Sequence, residues 1–102
     1  MRTYQNHDDY LHEVLKDPKE AALMLNAAVD EEDPVLILDV LSKIAKAHGV
    51  SAMAKKTSLS RMGLYKSLSK SGNPGFKTLL GILAASGLKM SFQVAKAAKR
   101  AT

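Results

Sequence analysis

Residues 49–68, GVSAMAKKTSLSRMGLYKSL, read as two short helices joined by a tight polar turn. In the first half, Ser51 can cap a helix that turns Met53 and Ala54 inward and ends on Lys55 and Lys56. Thr57 and Ser58 then break it. In the second half Ser60 is a good N-cap, with Leu59 and Leu64 at the N′ and N4 positions of a hydrophobic staple. The spacing predicts a helix over about 61–67 that buries Leu64 and Leu68 at i and i+4. Together these give the outline of a helix-turn-helix.

In that motif the second helix enters the major groove of DNA with its N-terminal residues at the base edges, while the first lies across the backbone. Arg61 has the fork to bond a guanine bidentately, Met62 suits a thymine methyl, and Ser60, Lys66 and Lys70 suit phosphates. The candidate DNA-binding residues are therefore Ser60, Arg61, Met62, Tyr65 and Lys66, with Ser51 and Lys55 on the preceding helix and Lys70 beyond the second. The same side chains also fit the solvated face of an ordinary helical hairpin, because helix-turn-helix backbones occur without DNA contacts.

Charge is segregated along the chain. Residues 1–33 hold three Lys and Arg against nine Asp and Glu, a net of −6. Residues 34–102 hold twelve against Asp39 alone, a net of +11. A basic body attracts a polyanion through counterion release, and an acidic head suits a basic protein partner. Segregation by sign argues against charge that merely solvates the surface.

The 102 residues fit one domain with a modest core. With no cysteine there is neither a disulfide framework nor a cysteine-ligated zinc site. No apolar run approaches the roughly 18 to 20 residues that span a bilayer, and the start lacks a signal-peptide layout, so a cytoplasmic location without membrane contact is expected.

Working outward, Met1–Asn6 has no periodicity. Tyr10, Leu11, Val14 and Leu15 recur at helical spacing within about 8–16. Asp17 as N-cap, Pro18 at N1 and Glu20 at N3 start a second helix that runs to about Asp30. Asp33 and Pro34 repeat the signal for a third helix to about His48, with Ile37, Leu41 and Ile44 on one stripe and Leu38 and Ala45 beside it. Lys43, Lys46 and His48 complement its macrodipole, and Gly49 closes it as a left-handed residue. Beyond the helix-turn-helix, Asn73 and Pro74 start a last helix to about Ser86 that buries Phe76, Leu79, Leu80 and Leu83, and Gly87 stops it.

Nothing points to catalysis. His7 and His12 are five apart, with Asp8, Asp9 and Glu13 around them, and no second ligand cluster follows, so this is a solvated acidic face with no metal. SKSGNPG at 69–75 lacks the spacing and the Lys-Ser/Thr ending of a phosphate-binding loop. No nucleophile and base are paired by spacing, and no cofactor motif is present. An enzyme is not expected.

The period changes at the end. Leu88, Met90, Phe92 and Val94 alternate with Lys89, Ser91 and Gln93, the two-residue repeat of a half-buried strand. A lone strand leaves backbone groups unpaired and wants a partner. The same strand of a second copy is the simplest solution, making these four the candidate dimerisation residues, and another protein's sheet is the rival.

From about Asp17 onward the chain resembles the HigA-like addiction-module antidote proteins, which carry a phage-repressor-type helix-turn-helix of the lambda-repressor, XRE/Cro-like kind. DPVLILDVLSKIAKAHG, GVSAMA, LSRMGLYKSLS and GNPGFKTLLGILAASGLKMSF, in this order, carry the resemblance. It implies an antitoxin that binds and inhibits a RelE/ParE-type (HigB-like) toxin, commonly a ribosome-dependent RNase. It also implies a homodimeric repressor at an inverted-repeat operator in its own promoter. Base contacts in such repressors fall, by position, on Ser60, Arg61, Met62, Tyr65 and Lys66. Gly63 departs from the pattern at up to about 1 kcal/mol relative to alanine, and Met62 lacks the amide often used to read adenine.

The expectation is a mainly α protein of five to six helices with one short C-terminal β-strand. Residues 1–33 would be an acidic helical segment suited to the toxin, 34–94 the DNA-binding domain with its dimerisation strand, and 95–102 a basic tail. A stand-alone prophage-type repressor without a toxin is the alternative, and an interaction module with a vestigial helix-turn-helix is a further rival.

Overall fold

Two Asp-Pro pairs set where the two longest helices begin. The computed structural model describes residues 7–95, and among them are six α-helices and no β-strand. Helix α1 spans His7–Leu15, α2 Pro18–Asp30, α3 Pro34–His48, α4 Val50–Thr57, α5 Arg61–Ser67 and α6 Phe76–Ala85. Asp17 Oδ1 accepts from the Lys19 N–H at 3.0 Å, and Asp33 Oδ1 accepts from the Val35 N–H at 3.0 Å. Each cap satisfies an amide that the first turn leaves orphaned, while Pro18 and Pro34 have no amide to lose.

Helix α3 is the spine. Leu41 and Ala45, four apart, enter a core with Met53, Ala54, Leu64, Leu68, Ile82 and Leu83. Val40, Ile44 and Ala47, on the neighbouring face, enter a second core with Leu15, Ala21 and Ala28. The expected single stripe is therefore two, with Ile37 packing against both cores along with Leu25 and Leu88. Helices α1 and α2 lie on α3, and α6 lies on α4. Each fully buried Leu or Ile contributes about 1.5 to 3 kcal/mol, which is what holds helices this short in place.

Several expectations are corrected. Helix α4 begins at Val50, one residue before Ser51, and Ser51 lies exposed within its first turn. Gly49 ends α3 and starts α4 at once. Its N–H donates to the Lys46 carbonyl at 3.2 Å, and its own carbonyl accepts from the Met53 N–H at 3.0 Å. With φ 97° and ψ 115° it lies at positive φ but outside the left-handed helical region. A one-residue corner leaves no place for a side-chain cap.

Helix α6 starts from Gly75, without a side-chain cap, and not from Asn73. Its inward stripe is Leu79, Ile82, Leu83 and Ser86, so Leu80 sits on the edge and Phe76, in the first turn, is 64 % exposed. Its far end closes as expected. Gly87 at φ 78° lets its N–H donate to the Ala84 carbonyl at 3.1 Å and the Leu88 N–H to the Leu83 carbonyl at 2.8 Å.

The strand over 88–94 does not form, and residues 88–95 carry no regular element. Alternation supplies a two-faced segment, but a ladder needs a second edge, and the described residues offer none. Residues 1–6, which lack periodicity in the sequence, and the tail from 96 lie outside the described residues. Among the described residues no helix is long and apolar enough to cross a membrane, and no group of His, Asp and Glu could hold a metal ion.

Candidate nucleic-acid interface

Three residues, Ser58 to Ser60, separate α4 from α5. Met53 and Ala54 anchor α4 in the core, and the Thr57 hydroxyl donates back to their carbonyls at 3.0 and 3.1 Å. Ser58 adopts the left-handed region at φ 61°. The Leu59 N–H then donates to the Ala54 carbonyl at 3.0 Å, the same closure that ends α6. Leu59 packs against the first core beside buried Leu64, as the staple requires. Ser60 Oγ accepts from the Gly63 N–H at 2.9 Å and starts α5. The turn is thus fixed at both ends by short-range bonds and in the middle by apolar contact.

Leu64 and Leu68 are buried as expected. The opposite side of α5 faces outward: Ser60, Arg61, Met62, Tyr65 and Lys66 are all exposed, Met62 to 73 %. Met62, Tyr65 and Lys66 fall at i, i+3 and i+4, so they share one helical face. Ser51 and Lys55, four apart and exposed, share a face of α4, and exposed Lys70 follows α5 in the next turn.

Gly63 sits at the inner end of this helix. A Cβ there would lie 3.2 Å from Ser60 Oγ and 3.9 Å from Leu59 Cβ. Gly72 is tighter still, because a Cβ would come within 2.4 Å of the Lys66 and Ser67 carbonyl oxygens. The chain after α5 must pass that close to the helix end, so only glycine fits, and the position of Lys70 depends on it.

One participant is not visible in local spacing. Lys46 Nζ lies 6.0 Å from the centroid of the Tyr65 ring, at the outer limit of a cation–π contact. It belongs to α3, 19 positions away in sequence, and only the packing of α3 against α5 brings it to this face.

The four candidate dimerisation residues divide. Leu88 and Met90 are half-buried against the first core, whereas Phe92 and Val94 are 88 % and 92 % exposed.

A family model described as "Probable addiction module antidote protein" matches residues 5–94. An uncharacterized protein of Haemophilus influenzae is 40 % identical over 92 residues, which cover 90 % of this chain and 93 % of that protein. No solved structure gives a significant match. Since the matched stretch takes in all six helices, the chain belongs to the family of probable addiction module antidote proteins.

Proposed function

We propose that the protein is the antitoxin of a type II toxin–antitoxin module, binding its toxin directly and repressing its own operon as a DNA-bound homodimer. Family membership implies a toxin partner in general, and the resemblance read from the sequence supports a toxin of the RelE/ParE type. The observation that carries DNA binding is the α4–α5 unit. Capped at Ser58 and Ser60 and anchored by Leu64 and Leu68, it presents Arg61, Met62, Tyr65 and Lys66 to solvent on one short helix.

In this reading α5 is the recognition helix and enters the major groove, while Ser51 and Lys55 on α4 and Lys70 after α5 hold phosphates. Arg61 and Met62 supply base choice. A second copy places the matching helix about 34 Å away, one DNA turn, over the other half of an inverted repeat. Exposed Phe92 and Val94 support contact between copies, because burying them against a second chain removes apolar area from water. The protein works by binding, in the cytoplasm and without a cofactor.

Fluorescence anisotropy with DNA from upstream of its own gene and an unrelated duplex, at two salt concentrations, tests the reading. A preference of about a thousandfold that persists at physiological salt is expected. Equal binding that vanishes with salt would remove the operator. Arg61→Ala is expected to relax specificity at one base position by about 1 to 3 kcal/mol, whereas Lys70→Ala weakens all sequences alike and lowers the salt slope.

A further inference from the structure

The acidic segment borders a cleft that runs from the start of α3 to the end of α5. Exposed Val35 (41 %) and Leu36 (36 %) sit in the first turn of α3. They line one open cleft with Asp33, Asp39, Leu68 and Lys70. Apolar side chains therefore meet solvent inside a concave surface, on a helix whose other faces already supply two cores.

The charge beside this cleft runs against helix electrostatics. Asp30, Glu31 and Glu32 crowd the C-terminal end of α2, which has no basic residue in its last turn. The macrodipole makes that end negative and disfavours carboxylates there. Helices α3 and α4 follow the rule, ending on Lys46 and His48 and on Lys55 and Lys56. Neither Glu31 nor Glu32 is paired with a cation among the described residues. Asp33 spends one oxygen on the Val35 N–H, and Asp39 pairs with Lys43. The carboxylates do not converge on a metal-holding group. They are spread along a surface, which suits a chain of opposite charge and not an ion.

We propose that this α2–α3 corner, with Val35 and Leu36 in its cleft and Glu31 and Glu32 beside it, is the docking surface for the toxin and takes a basic, amphipathic segment of that protein. The proposal rests on the antitoxin reading. Apolar side chains of the segment cover Val35 and Leu36, and its Lys or Arg residues lie against Glu31 and Glu32, where each charge offsets one that α2 leaves uncompensated.

Two variants of the full chain separate the components. Val35→Thr with Leu36→Gln removes the apolar anchor at N2 and N3 of α3, and glutamine is favoured at N3, so folding is retained. Glu31→Gln with Glu32→Gln removes the charge. Each is titrated by calorimetry at two salt concentrations with the toxin encoded in the same module, after circular dichroism and thermal melting establish the fold. The apolar variant is expected to lose tenfold or more in affinity with an unchanged salt dependence. The charge variant is expected to lose several-fold and to flatten that dependence, and both should bind operator DNA like the parent. Wild-type affinity in both variants overturns the docking surface while leaving the antitoxin reading in place. No binding by the parent chain overturns both. If light scattering shows that the variants change the oligomeric state while toxin affinity holds, the occupant is a second copy and the proposal fails.

Discussion

The two cores that flank α3 are filled in different ways. The one toward α4, α5 and α6 holds six large side chains, Leu41, Met53, Leu64, Leu68, Ile82 and Leu83, with Ala45 and Ala54. The one toward α1 and α2 has Leu15, Val40 and Ile44, with Ala21, Ala28 and Ala47 between them. Alanine lets helices approach closely but removes little apolar area from water. The α1–α2 side is therefore stabilised by a few large side chains, and the α4–α6 side by many. The side that carries α5 is the more redundantly packed.

The strongest way to break this contrast is to truncate one fully buried side chain in each core. Leu15→Ala and Ile82→Ala are each expected to cost about 2 to 5 kcal/mol in urea unfolding. If the cores are one cooperative unit, both variants keep the parent m-value. A reduced m for Leu15→Ala alone would mean that the α1–α2 side separates first. A smaller effect sharpens the point about alanine. Ala21 is fully buried, so Ala21→Leu should overpack its site and cost about 1 to 3 kcal/mol of thermal stability. A neutral result would mean that α2 has room to move outward.

The smallest effect concerns the corners at the two ends of α3. Gly49 takes φ 97° without penalty, whereas Glu32 takes φ 57° with a side chain that disfavours it. Glu32→Gly is expected to raise stability by up to about 1 kcal/mol, measured as an increase in melting temperature.

Much of this was legible in the sequence where the governing interaction is short-range. Asp17, Asp33 and Ser60 each bond an amide two or three residues ahead, so residue type and spacing suffice. The buried pair Leu64 and Leu68 and the stop at Gly87 are legible for the same reason. What failed depends on distant partners. The rotation of α6 that exposes Phe76 is set by its packing on α4, where a Cβ on Gly81 would meet Thr57 Cγ2 at 3.3 Å. The alternation over 88–94 is real in the sequence, but a strand is a property of two segments. The approach of Lys46 to Tyr65 likewise arises only once α3 and α5 meet across the first core.

The sharing of α3 between both cores has a kinetic consequence. Leu25, Ile37 and Leu88 touch both clusters, so lifting away either set of neighbours strips a face of the same helix. Amide hydrogens in the middle of α3, around Leu41 to Ala45, should therefore exchange with solvent only when the whole chain opens. Those near Met62 on α5 lie at the rim and can exchange through local fraying. The spine then acts as the slowest clock in the molecule, and its exchange rate reports global stability, whichever face a partner occupies.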